Sequence, residues 1–285
     1  MTVTFPKVTV LGAGTMGAGI AQVAAQAGSE VVLQDVTAEL AERGRERIRA
    51  FLQKGVDKGK TTAAVRDETL ARVATATDRA VACRAADLVV EAVPERLELK
   101  NELFREVAGA VAADCVLASN TSSLALSKVF LGVVGPERCV GMHFFNPVPL
   151  MKLLEIVRTD ATSAATIERV TEYAVALGKE PILVVDSPGF ASSRLGVCLG
   201  LEAIRMVEAG VASAEDIDKA MVLGYGHPMG PLRLTDLVGL DVRLAIADYL
   251  RRELDLPGFE APALMRKMVA DNQLGQKTGR GFYTW

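Results

Sequence analysis

Short β-branched apolar runs alternate with longer amphipathic stretches over the first two-thirds of the chain. The runs predict strands at 8–11, 31–33, 88–90, 115–118, 139–145, 153–157 and 182–185. Strands separated by helical patterns are typical of crossover connections and therefore of a mostly parallel sheet. The runs are apolar on both faces, as expected where helices cover both sides of the sheet.

The pattern changes after Asp186-Ser187-Pro188-Gly189. From Ser193 onward no strand pattern is evident, and helical periodicity is interrupted by glycines and by Pro257-Gly258. Ser213 followed by acidic residues indicates a helix N-cap. We therefore predict an α/β domain over 1–187 and an all-α domain over 188–285.

Composition narrows the class of protein. The 285 residues are 50% apolar and 24% charged, which excludes wholesale disorder. With 32 basic and 35 acidic residues the net charge is -3, so no nucleic-acid partner is expected. The four cysteines form no CxxC pair, no metal site is predicted, and no apolar run reaches membrane-spanning length. These features predict a soluble, cytoplasmic protein without a membrane partner.

A glycine-rich turn, Gly12-Ala13-Gly14-Thr15-Met16-Gly17, follows the first predicted strand and opens a helix expected over 18–27. In such a turn the first glycine permits the bend, the second lets backbone approach a pyrophosphate, and the third lets helix and strand pack closely. Asp35 ends the next strand, where a carboxylate accepts hydrogen bonds from ribose hydroxyls and repels a 2′-phosphate. The turn thus favours NAD over NADP, although a plain strand–helix turn is the alternative.

His143 ends a strand just before a Pro-rich turn, and Glu155 interrupts the apolar strand that follows. A carboxylate inside such a strand needs a partner. His143 is one candidate, since a carboxylate fixes the imidazole tautomer and increases its basicity for general-base chemistry. A salt bridge from Glu155 to Lys152 or Arg158 is the alternative.

The sequence resembles the L-3-hydroxyacyl-CoA dehydrogenases, and within that family the short bacterial 3-hydroxybutyryl-CoA type. The resemblance covers nearly the whole chain in family order. It is carried by Gly12 to Gly17, Val90-Glu91-Ala92, Glu95, Lys100 to Phe104, Ser119-Asn120-Thr121-Ser122-Ser123, Met142 to Val148, Asp186 to Phe190, His227 to Pro231 and Gly275 to Tyr283.

The resemblance implies a Rossmann-type domain and a helical domain that forms a homodimer. It implies oxidation of (S)-3-hydroxyacyl-CoA to 3-oxoacyl-CoA, with His143 as the base and Glu155 orienting it. Ser122 would bind the reacting oxygen and, with Asn146, help to place NAD and substrate. The remaining NAD contacts would be Gly12, Gly14, Thr15, Met16, Gly17, Asp35, Glu95, Lys100 and Lys277. His227 is expected to be a structural turn residue.

One position departs from the family pattern. The family usually places Asn after Pro-Gly-Phe, near an Arg, to help bind substrate, and here Ser193 occupies that position. A hydroxyl is shorter and could act through water. The alternative function is therefore a dehydrogenase of a carrier-protein-bound or other 3-hydroxy acid. A non-catalytic dinucleotide sensor is a further alternative, disfavoured by His143, Glu155 and Ser122.

The segment 42–66 holds eight basic and three acidic residues, a local charge of +5. Its apolar spacing predicts a helix. The resemblance implies that it contacts CoA, with Lys54, Lys58 and Lys60 as the expected residues. A solvated helix with Glu42–Arg45 and Glu46–Arg49 pairs is the alternative.

Overall fold

The structure is a computed structural model that describes residues 3–285. The chain divides into two compact units, a first that ends at Ser187 and a second over Pro188–Trp285. Each unit has its own apolar core.

The first unit contains eight strands. They are β1 (Lys7–Leu11), β2 (Glu30–Gln34), β3 (Val73–Ala76), β4 (Leu88–Glu91), β5 (Val116–Ser119), β6 (Cys139–Phe144), β7 (Leu153–Arg158) and β8 (Glu180–Val185). Its α-helices are α1 (Thr15–Gln26), α2 (Ala38–Asp57), α3 (Ala63–Ala71), α4 (Arg79–Cys83), α5 (Leu97–Ala110), α6 (Leu126–Val129) and α7 (Ala164–Ala176), with a 3-10 turn at Pro136–Arg138.

The strands form one sheet in the order β3-β2-β1-β4-β5-β6-β7-β8. All neighbours are parallel except β6 and β7, which are antiparallel. The strand order reverses between β1 and β4, and in open α/β sheets ligands bind outside the carboxyl ends of the strands at such a point. The mostly parallel sheet predicted from the sequence is confirmed.

Three details differ from the sequence prediction. The strand β3 (Val73–Ala76) was not predicted, because its Val-Ala-Thr-Ala sequence lacks an apolar run. Helix α1 begins at Thr15, since the glycine turn leads directly into it. The strand β8 is not covered on both faces: Leu183 is 56% and Val185 is 52% exposed.

The second unit is helical. It contains α8 (Ser192–Glu208), α9 (Ala214–Tyr225), α10 (Pro231–Val238), α11 (Leu240–Leu254) and α12 (Ala263–Ala270), with 3-10 turns at Pro257–Phe259 and Gln276–Thr278. Ser213 caps α9 through its hydroxyl, as the sequence predicts. Over the described residues 3–285, no helix combines the length and apolar character needed to span a bilayer.

Candidate active site

The glycine turn joins the carboxyl end of β1 to α1. At two of its three glycines, a larger residue would clash with the surrounding backbone. Gly12 has φ +98°, and a Cβ there would lie 2.7 Å from the carbonyl oxygen of Ala92. A Cβ on Gly17 would lie 1.7 Å from the carbonyl oxygen of Gly12. A Cβ on Gly14 would meet no described atom within 4 Å, so this glycine leaves open space beside the backbone.

The start of α1 and the end of β2 meet at this turn. Thr15 and Met16 are the first residues of α1, and within residues 3–285 no side chain caps this helix start. Unpaired N–H groups at such a position attract anions. Asp35, at the end of β2, accepts hydrogen bonds from the backbone N–H of Ala13 at 2.8 Å and of Val36 at 2.7 Å. Its carboxylate is therefore fixed beside the turn.

His143 and Glu155 form a buried pair on adjacent strands. They are direct partners in the antiparallel register of β6 and β7, and His143 Nδ1 lies 2.6 Å from Glu155 Oε2. Glu155 is fully buried and His143 is 6% exposed. Since a carboxylate only accepts, Nδ1–H is the donor. Of the alternatives left open by the sequence, the structure places Glu155 with His143, while Lys152 pairs with Glu180.

The segment after β5 carries Ser122 and is held by Glu95. One carboxylate oxygen of Glu95 accepts from Thr121 Oγ1 at 2.5 Å and from the Ser122 backbone N–H at 3.1 Å. Its other oxygen lies 3.1 Å from Lys100 Nζ. Burial alone would raise the pKa of Glu95, but the Lys100 ammonium and these hydrogen bonds lower it below the ordinary value. Glu95 is therefore ionised at neutral pH.

Lys100 lies beneath this segment and is only 1% exposed. Its Nζ donates to Glu91 Oε1 at 2.5 Å and to Val93 O at 3.4 Å, in addition to its contact with Glu95. Glu91 is fully buried at the end of β4, and its second oxygen accepts from Ser119 Oγ at 2.7 Å. All three ammonium hydrogens thus face protein acceptors, an arrangement that suits support of Glu95 better than direct contact with a ligand.

Asn146 follows the end of β6 and is exposed. It lines a cavity of about 110 Å³ together with Thr15 and Gly19 of α1 and Arg47 and Phe51 of α2. Asn120, two residues before Ser122, accepts from the Phe144 backbone N–H at 2.9 Å. This bond ties the Ser122 segment to the strand that carries His143.

The basic segment forms most of α2 and the turn after it. Its arginines pair as the solvated-helix alternative expects: Arg49 lies 3.2 Å from Glu46, and Arg45 lies 4.0 Å from Glu42. The lysines differ. Lys54 lies in the last turn of α2, Lys58 caps its end and Lys60 follows it. All three are exposed, and none forms an ion pair with another residue in the described part of the chain.

Two predicted site residues lie in the second unit. Ser193 is the second residue of α8 and is half-buried. Lys277 lies in the last 3-10 turn, with its Nζ 2.6 Å from Asp241 Oδ2. Partial burial would raise the pKa of Asp241, but the hydrogen bond from Lys277 lowers it. His227 follows Gly226, which ends α9, and lies in the irregular segment before α10.

Comparison with known proteins identifies the family. The model of the NAD-binding domain of 3-hydroxyacyl-CoA dehydrogenase matches residues 7–187, and the model of its C-terminal domain matches residues 189–285. The chain belongs to the 3-hydroxyacyl-CoA dehydrogenase family.

Relatives support this assignment over the full chain. A 3-hydroxybutyryl-CoA dehydrogenase of Mycobacterium tuberculosis is 46% identical over 288 residues and covers 100% of both chains. The human mitochondrial hydroxyacyl-coenzyme A dehydrogenase is 44% identical, covering 98% of this chain and 90% of its own. The crystal structure of (S)-3-hydroxybutyryl-CoA dehydrogenase from Ralstonia eutropha superposes with a TM-score of 0.94 at 40% identity and covers 99% of each chain.

Family membership confirms the predicted fold class, the oxidoreductase class and NAD as cofactor. The residues present fit NAD. The close approach at Gly12 and Gly17 forms a turn of the kind that accommodates a dinucleotide pyrophosphate, and the carboxylate of Asp35 is held beside it. A 2′-phosphate would be repelled there.

The residues that support the site were not predicted from the sequence. Glu91 and Asn120 stand inside motifs that signalled the family, yet no spacing rule indicated their partners. A weak signal existed for Glu91, because a carboxylate that ends a buried strand needs a cation or several donors.

Proposed function

We propose that the protein catalyses the reversible NAD-dependent oxidation of (S)-3-hydroxybutyryl-CoA and other short-chain (S)-3-hydroxyacyl-CoA esters to 3-oxoacyl-CoA. The observation that carries the proposal is the buried contact between His143 Nδ1 and Glu155 Oε2 at 2.6 Å. The relatives named 3-hydroxybutyryl-CoA dehydrogenase support the choice of a short acyl chain.

His143 acts as the general base. Because Nδ1–H donates to Glu155, proton transfer falls to Nε2, which takes the proton from the substrate 3-hydroxyl. The buried carboxylate of Glu155 stabilises the imidazolium that results. A base positioned in this way typically contributes about 10²–10⁴ to the rate.

The remaining site residues of the first unit bind and orient the cofactor and the substrate. NAD, when bound, supplies the acceptor for the hydride that leaves C3. The glycine turn with Thr15 and Met16 binds its pyrophosphate, and Asp35 binds the adenosine ribose. Ser122 donates to the oxygen on C3, and Asn146 orients cofactor and substrate. Glu95 completes the cofactor contacts, with Lys100 holding it in place.

Lys54, Lys58 and Lys60 bind the phosphates of CoA. Their exposure and the absence of an ion pair with any described residue support this role. From the second unit, Ser193 contributes to substrate binding and Lys277 to cofactor binding. Lys277 already donates a hydrogen bond to Asp241. To contact the cofactor, its ammonium group must either leave Asp241 or use another of its N–H donors.

We also propose a cytoplasmic homodimer formed through the second unit. Large apolar side chains on that unit are exposed, among them Leu195 at 70%, Leu223 at 73% and Tyr225 at 79%. Exposed large apolar side chains supply the surface that a protein–protein interface covers. Light scattering tests the oligomeric state. A mass near twice 30.3 kDa is expected, and a monomer contradicts the proposal.

A substrate panel tests the function. Acetoacetyl-CoA, a carrier-protein-linked 3-oxoacyl group and free acetoacetate are each offered with NADH and with NADPH, and loss of reduced cofactor is followed. We expect turnover of acetoacetyl-CoA with NADH. Turnover of only the carrier-linked or free acid would favour the alternative raised by Ser193 instead.

A variant pair tests the base. His143→Gln is expected to lose turnover by at least about 10²-fold while still binding NADH. His227→Gln, at the other histidine of the chain, is the matched control and should keep full activity. Unchanged turnover in His143→Gln contradicts the mechanism. If the unmodified protein binds NADH but turns over none of these substrates, the result would indicate a non-catalytic dinucleotide sensor.

A further inference from the structure

Asp186 is a charged residue that the proposed chemistry does not use. It follows directly after β8 and is the last residue but one of the first unit. Its two carboxylate oxygens accept separate backbone hydrogen bonds: Oδ1 from Leu126 N–H and Oδ2 from Ser127 N–H, both at 2.8 Å. These N–H groups begin α6, the short helix that follows the Ser122 segment.

The Ser122 segment has no regular structure of its own between Ser119, the last residue of β5, and Leu126, the first residue of α6. Its conformation is therefore set by what holds it. Glu95 holds its first half at Thr121 and Ser122. Asp186 holds the other end, only four residues beyond Ser122.

Apolar packing also holds this end of the Ser122 segment, but it constrains a different property of the backbone from the one that the Asp186 carboxylate constrains. Leu126 is fully buried, and a Cβ on Gly141 of β6 would lie 2.8 Å from Leu126 Cδ1. This contact sets how close Leu126 lies to the sheet but does not determine the rotation of the backbone. Two hydrogen bonds to one carboxylate define that rotation, because they fix two consecutive N–H groups.

We propose that Asp186 is a positioning residue that sets the geometry of Ser122 for the reaction. This inference rests on the proposed function, in which Ser122 binds the oxygen on C3. An error of about 1 Å in the position of such a group can cost about 10²-fold in rate, so a residue that makes no contact with substrate can control turnover.

The test uses Asp186→Asn in the full-length protein. The carboxamide keeps the shape of the side chain but accepts with one atom and presents N–H to the second backbone donor. We expect kcat for acetoacetyl-CoA with NADH to fall by about 10-fold or more, with the dissociation constant for NADH, followed by its fluorescence, changed less than about twofold.

Asp78→Ala is the stability control. Asp78 also caps a short helix of the first unit, since its Oδ1 accepts from Val81 N–H at 2.9 Å at the start of α4. Loss of this cap should lower Tm by about 2–4 °C and leave kcat unchanged. A fall in kcat for Asp78→Ala equal to that of Asp186→Asn would assign the effect to stability and overturn the proposal.

A double-mutant cycle with Ser122→Ala separates this proposal from the function on which it rests. If Asp186 acts through Ser122, Asp186→Asn causes little further loss of kcat in the Ser122→Ala background. A full second loss, or an unchanged kcat in Asp186→Asn alone, overturns the role of Asp186 while the role of Ser122 stands. Full activity in Ser122→Ala overturns both.

Discussion

Replacement of Glu155 by Gln tests the proposed catalytic pair of His143 and Glu155 most directly. The substitution keeps the volume of a fully buried side chain and removes its charge. The carboxamide oxygen can still accept from His143 Nδ1–H, so orientation is partly retained. It cannot balance the imidazolium that forms when His143 takes a proton.

The expected loss follows from the geometry. A 2.6 Å hydrogen bond between a buried carboxylate and an imidazole is charge-assisted, and bonds to charged groups contribute about 1.5–3 kcal/mol. If this contribution is made in the transition state, kcat for 3-hydroxybutyryl-CoA oxidation falls by about 10- to 150-fold.

The assay is steady-state formation of NADH at neutral pH, together with NADH binding by fluorescence. Glu180→Gln is the matched control, because Glu180 lies on the next strand and pairs with Lys152 at the surface. We expect Glu155→Gln to bind NADH normally and the control to retain full activity. If Glu155→Gln keeps kcat within about twofold, the proposed role of Glu155 is wrong.

Four further predictions concern cofactor, substrate and stability. Gly17→Ala should weaken NADH binding by at least about 10-fold in a fluorescence titration, because its Cβ would overlap a backbone carbonyl 1.7 Å away. Lys58→Gln combined with Lys60→Gln should raise KM for acetoacetyl-CoA by about 3- to 10-fold at unchanged kcat, and a KM that stays constant contradicts the phosphate contact. Ser193→Asn should raise kcat/KM for the CoA ester by about fivefold, since a carboxamide reaches further than a hydroxyl. For Glu95, the lowered pKa means that its stabilising contribution is present above the ordinary value of 4.5 and is lost as pH falls through the lowered pKa. The urea-unfolding difference between the unmodified protein and Glu95→Gln should therefore shrink on acidification in that range.

The sequence was sufficient to predict secondary structure and turns where one interaction dominates a short stretch of the chain. Buried apolar runs predicted the strands of the sheet core, and the glycine spacing predicted the turn between β1 and α1. For Glu155 the sequence named His143 as one candidate partner and left a salt bridge to Lys152 or Arg158 open. The antiparallel register of β6 and β7, which was not predicted, brings His143 and Glu155 together.

Support of the site was less accessible, since it depends on contacts between residues far apart in the chain. The bond from Leu126 to Asp186 spans 60 residues, and the bond from Ser119 to Glu91 spans 28. Ser, Asp and Glu in loops are common and satisfy their hydrogen bonds in many ways. Only the order of strands in the sheet decides which of them meet.

The same reasoning explains why Lys100 and Lys58 require different interpretations, although the resemblance to the family implies a ligand contact for both. Lys100 is 1% exposed, and its donors are taken by two carboxylates and a carbonyl. Lys58 is exposed at the end of a helix and forms no ion pair with any described residue. A buried ammonium that lost a carboxylate would be an uncompensated charge, so Lys100 is constrained by the protein itself. An exposed ammonium carries no such constraint, and its position near two other exposed lysines, Lys54 and Lys60, favours the proposed anionic ligand. Burial therefore separates Lys100, whose donors are occupied by the protein, from Lys58, which is proposed to bind substrate, and the sequence alone does not contain this distinction.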